Sequence, residues 1–155
     1  MIDLPEKSEK NIYKPKALKM RLRFDYRGEK SGGLFGRKNS ENVAEDKREH
    51  VAALLRNVPR RGITIEEIDI NHEVYTILDE ETGNQAAYAP LEILVKADRI
   101  EDIMEFIMRP EFRRIEVLQP QEILLTDQDI ERMLYKVNEE LHNFTQILER
   151  RLNSK

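Results

Sequence analysis

Apolar and polar residues alternate along three stretches of the chain. Leu18, Met20, Leu22, Phe24 and Tyr26 alternate with Lys19, Arg21, Arg23 and Asp25, the period of a strand with one buried and one cationic face. Leu91, Ile93, Val95 and Ala97 alternate with Glu92, Leu94 and Lys96, and Arg113 to Leu118 repeats the pattern with Ile115 and Val117 on one face. Between these last two stretches the period changes. Asp98 stands where a helix N-cap belongs, with Glu101 three residues on, and Ile100, Ile103, Met104 and Ile107 recur at i, i+3, i+4 and i+7 before Pro110. Leu91 to Val117 therefore reads as strand, helix, strand.

The first half repeats that order. Asn42 with Glu45 offers a helix start, Val51, Leu54, Leu55 and Val58 supply an apolar stripe, and Pro59 stops it. After the Arg60-Arg61-Gly62 turn, Ile63 and Ile65 begin a strand that Ile68 and Ile70 continue in the opposite phase. That switch predicts a bulge near Glu66-Glu67. The chain then reads as extended through Val74–Leu78 and turns at Asp79 to Gln85, where Gly83-Asn84 tolerates positive φ. Two strand–helix–strand units joined by a hairpin give the order βαββαβ over residues 17–123. Right-handed crossovers put both helices on one sheet face. The predicted class is α+β, a ferredoxin-like antiparallel sheet with the Leu18–Tyr26 and Leu91–Ala97 strands central.

A long helix follows over 126–152, capped by Thr126. Ile130, Leu134, Val137, Leu141, Phe144 and Leu148 are spaced by 4, 3, 4, 3 and 4, a heptad seam widened by Met133 and Ile147. About 26 helical residues span roughly 39 Å, more than a small sheet needs as cover. Two readings follow: docking on its own domain, or a seam for a second copy or another partner.

Composition adds a charge asymmetry. The net charge is −4, yet residues 1–40 carry 11 Lys/Arg against 5 Asp/Glu. Residues 1–16, with Pro5 and Pro15 among charges, read as a flexible arm. Residues 28–41 read as a mobile loop holding Gly28, Gly32, Gly33 and Gly36. Backbone amides there, with Lys30, Arg37 and Lys38, make a candidate anion or small-ligand site. Gly36 is followed by Arg37-Lys38-Asn39, so the Walker pattern is not met. Lys19, Arg21 and Arg23 extend the basic set to a strand face, where cross-strand pairing with Glu92 and Glu116 competes with phosphate binding. An RNA platform would carry aromatics on that face, whereas Phe24 and Tyr26 share the buried phase.

Catalytic patterns do not emerge. The chain has no cysteine, His50, His72 and His142 lack metal-ligand spacing, and no Gly-x-Ser-x-Gly elbow occurs. Asp127, Asp129 and Glu131 lack the glycine and closing glutamate of a calcium loop. No cofactor and no enzymatic role are expected. No apolar run reaches membrane length and Met1 to Lys16 shows no secretory h-region, so a cytoplasmic protein is expected.

Residues 87–123 resemble the corresponding part of the ribosomal protein S6 family. The resemblance rests on Ala87-Tyr88, the helix start Asp98-Arg99-Ile100-Glu101-Asp102-Ile103, Arg113-Arg114-Ile115-Glu116-Val117 and Gln121-Glu122. It implies the βαββαβ fold and an rRNA role. The same element order is similar to ACT regulatory domains, which implies ligand binding near the first strand–helix loop, here Asp25-Tyr26-Arg27-Gly28, and pairing through sheets or helices.

The expected function is a non-enzymatic interaction or regulatory module forming a homodimer through Leu134, Val137, Leu141, Phe144 and Leu148. The alternative is a nucleic-acid-binding protein using Lys19, Arg21, Arg23, Lys30, Arg37 and Lys38.

Overall fold

The computed structural model of the chain describes residues 17–29 and 39–154. The expected arm and most of the glycine-rich loop lie outside the described residues. The elements are β1 (Leu18–Gly28), α1 (Ser40–Asn57), β2 (Ile63–Asp69), β3 (Tyr75–Leu78) and β4 (Gln85–Ala97). A 3-10 segment (Ile100–Ile103), α2 (Met104–Ile107), β5 (Phe112–Gln119) and α3 (Asp127–Asn153) follow. The described residues form an α+β fold with a five-stranded antiparallel sheet in the order β2-β4-β1-β5, and β3 pairs with β4 as well.

β1 and β4 are the central strands, the place expected for Leu18–Tyr26 and Leu91–Ala97. Leu22 faces Ile93 on one side and Ile115 on the other, so the apolar phases of three strands share one face. Met20, Leu22, Leu91, Ile93 and Val95 are fully buried there, each worth about 1.5–3 kcal/mol against exposure. Ala52 and Leu55 of α1 join the same cluster as Ile103 and Phe106 from the second helical stretch. Both therefore cover one sheet face.

Four local readings change. The first helix is capped by Asn39, whose side chain accepts from the Asn42 amide at 2.8 Å, and not by Asn42. Its buried face is Ser40, Ala44, Arg48, Ala52 and Leu55, while Leu54 and Val58 are exposed. Small residues explain the rotation, because Ala44 packs on Ala87 and Ala89. At Gly28 an added Cβ would land on the Ser40 carbonyl and the Ala44 nitrogen, so close helix approach requires glycine there.

The second change concerns the run from Ile63 to Leu78, which is two strands and not one. The bulge falls at Glu66, between Ile65 and Glu67. The chain then leaves the sheet after Asp69 and returns at Tyr75. Arg48 secures this break from α1, its Nη1 donating to the His72 carbonyl at 2.8 Å and the Pro90 carbonyl at 3.2 Å.

Third, the predicted helix from Asp98 to Pro110 is a 3-10 turn followed by one α turn. Its cap position is Arg99, whose amide donates to Asp102 at 3.1 Å. Gly62, at φ +74, lies beside that Asp102 carboxylate, which a Cβ would displace. Fourth, the short helix leaves part of its sheet face uncovered. Ile115 and Val117 lie opposite Leu22 and Met20 yet are 38% and 48% exposed.

Candidate functional site

The sequence of α3 makes a strong helix start. Thr126 Oγ1 accepts from the Asp129 amide at 3.2 Å, and Asp129 accepts from the Thr126 amide at 2.9 Å. Hydrogen bonding by the Thr126 amide, followed by the Thr126 side chain, holds the Asp129 carboxyl below its usual range. Asp127 and Asp129 sit in the first turn and Arg150 and Arg151 in the last, which suits the helix dipole at both ends.

This helix does not dock through its apolar stripe. It meets its domain at the 3-10 segment and α2, and the principal tie is polar. Arg132 Nε donates to Glu101 Oε1 at 2.9 Å, and Arg132 also pairs with Asp129. Half-buried positions are Asp129, Arg132, Met133, Lys136, Val137 and Glu140, a line about a quarter turn from the middle of the stripe at 3.6 residues per turn. The stripe itself faces outward. Leu134 is 66% exposed, Leu141 52% and Phe144 55%, and Ile130, Ile147 and Leu148 are similarly open. Of the predicted contact residues only Val137 is half-covered. Leu124 and Leu125, just before the helix, extend the apolar surface.

The opposite sheet face carries the predicted cationic residues. Lys19 lies 3.4 Å from Glu66, which Lys96 also reaches at 3.0 Å. Hydrogen bonding by Lys96, with Lys19, holds the Glu66 carboxyl below its usual range. Arg21 pairs with Glu116 at 3.4 Å and Arg23 with Asp25 at 3.0 Å. All three thus have carboxylate partners. Lys30, Arg37 and Lys38 lie outside the described residues.

Sequence reasoning missed the centre of that face. Asp25, in the open phase of β1, is buried. It accepts from the Tyr75 hydroxyl at 2.5 Å, and Arg113 lies 3.7 Å away. Tyr75 stacks on Tyr88 with ring centroids 5.3 Å apart, and Arg113 sits over Tyr88 at 6.0 Å. Burial, followed by the Asp25 hydrogen bond, pushes the Tyr75 phenol up to about 12. The one available signal was Asp25 itself, which interrupts a run of cations.

Among the described residues no group of three or more His, Asp or Glu side chains could hold a metal. No helix among them is long and apolar enough to cross a membrane. Comparison with known proteins finds no matching family model, no matching curated protein and no matching solved structure.

Proposed function

We propose that the protein is a non-enzymatic, cytoplasmic interaction or regulatory module that self-associates through α3. The observation that supports this most is the position of the apolar stripe, held about a quarter turn away from the domain and left open over Leu134, Leu141, Phe144 and Leu148. Apolar surface gains roughly 25 cal/mol per Å² when removed from water, and a seam of this regularity matches another helix. The domain that presents it is read as a ferredoxin-like arrangement, which the order β2-β4-β1-β5 supports. Light scattering tests the proposal. The parent is expected at twice 18.4 kDa, and Leu141→Glu at the monomer mass. Because Leu141 is exposed within the chain, that variant keeps its circular dichroism. A dimeric Leu141→Glu, or a monomeric parent, rejects the proposal.

A second reading, RNA binding at the open sheet face, draws on the stacked Tyr75 and Tyr88 beside Arg113, since aromatic and guanidinium planes stack unpaired bases. Anisotropy with single-stranded RNA at about 50 and about 200 mM salt tests it, because phosphate contacts lose most affinity over that range. Absence of binding at the lower salt rejects this reading.

A further inference from the structure

From the pattern of α3 we infer that its occupant is α3 of a second copy, lying antiparallel and in one register centred beside Glu139. This inference rests on the self-association proposed above and adds direction and alignment to it. The spacings 4, 3, 4, 3 and 4 read the same from either end. Reversing one helix about that centre sets Ile130 against Leu148 of the second copy, Leu134 against Phe144, and Val137 against Leu141. Every apolar layer then meets an apolar layer.

The next seam positions outward are Asp127 and Arg151. In the antiparallel register Asp127 faces Arg151 of the second copy at both ends. A parallel pair would put Asp127 against Asp127 and Arg151 against Arg151, which costs about what the opposite pairing gains. The charge pattern of the helix, acidic in its first turn and basic in its last, favours the same choice. Leu152, 71% exposed, comes level with Thr126 of the second copy, beside the exposed Leu124 and Leu125. Glu140 comes near its own counterpart at the centre, where Lys136, 3.3 Å away in the same chain, offsets the repulsion.

The chain has no cysteine, so introduced thiols report alignment directly. Full-length Val137→Cys and Leu141→Cys chains are produced separately and co-expressed, then oxidised. Disulfide-linked dimers are expected from the co-expressed pair and not from either chain alone, because bridged Cα atoms must lie within about 7 Å. Cross-linking of Val137→Cys to itself would overturn the antiparallel arrangement, and a dimeric parent without cross-links in any sample would overturn the register. In both cases self-association stands. A monomeric parent would overturn both proposals. Charge exchange gives an independent readout. Asp127→Arg is expected to weaken dimerisation about fivefold, the sum of two exposed pairs, and adding Arg151→Asp to restore it. An effect confined to the helix ends would be worsened by the second exchange, since each opposes the dipole. Failure of restoration therefore counts against the pairing.

Discussion

Asp25 gathers side chains from three strands. Arg23 of β1, Tyr75 of β3 and Arg113 of β5 all reach its carboxylate, so a single acid ties both sides of the sheet to the central strand. Removing one partner of such a group leaves an under-satisfied buried charge. Tyr75→Phe is expected to cost about 1–3 kcal/mol in urea unfolding, because the acceptor is charged. The Tyr75 phenol titrates near 12 in the fold against about 10 in the unfolded chain. A raised pKa stabilises the protonated form. The contribution is therefore complete below about pH 10 and is lost as pH rises to about 12. Ultraviolet titration should show a tyrosine ionising with a midpoint of about 12 that is absent from Tyr75→Phe. Tyr26, buried in the core, is raised further by desolvation.

At the scale of elements, α3 depends on its first turn, because the rest of the helix has few contacts with its domain. Thr126→Ala removes the hydroxyl that accepts from Asp129 and should cost about 1 kcal/mol of local stability. Hydrogen exchange should then accelerate over the first turns of α3 while β1 and β4 stay protected. Which elements sequence could foretell follows from where their causes lie. The alternation of β1 and β4 and the Thr126 cap arise from neighbouring residues, so they were legible. The break after Asp69 was not, because Arg48 secures it from α1, 24 residues upstream of His72. The second helix satisfied its apolar spacing, but the chain entering it is tied to the turn before β2, where the Asp98 amide donates to the Gly62 carbonyl. Rotation of α1 likewise came from Ala87 and Ala89 in a distant strand. At the candidate site the stripe of α3 was readable from spacing alone. Its outward aim depends on the Arg132–Glu101 tie, and the Tyr75–Tyr88 stack needs the β3–β4 pairing.

For the molecule as a whole, the proposed association through the exposed stripe would make stability a matter of concentration. Association that favours the folded chain raises the unfolding midpoint by mass action, so Tm should climb as protein concentration is raised from micromolar to hundreds of micromolar. A midpoint that stays fixed over that range would argue against association. The sheet, in contrast, gives further strands little to extend. On one side β4 carries two short partners in place of one long one, with the Glu66 bulge and the chain's excursion between Asp69 and Tyr75 interrupting the border. On the other side β5 bears Arg113, Arg114 and Glu116, and its pairing with β1 shifts register twice. Charged, irregular borders are poor templates for cross-β growth. The proposed association through α3 and any extension of the sheet would therefore use different surfaces, which keeps the risk of amyloid-like stacking low.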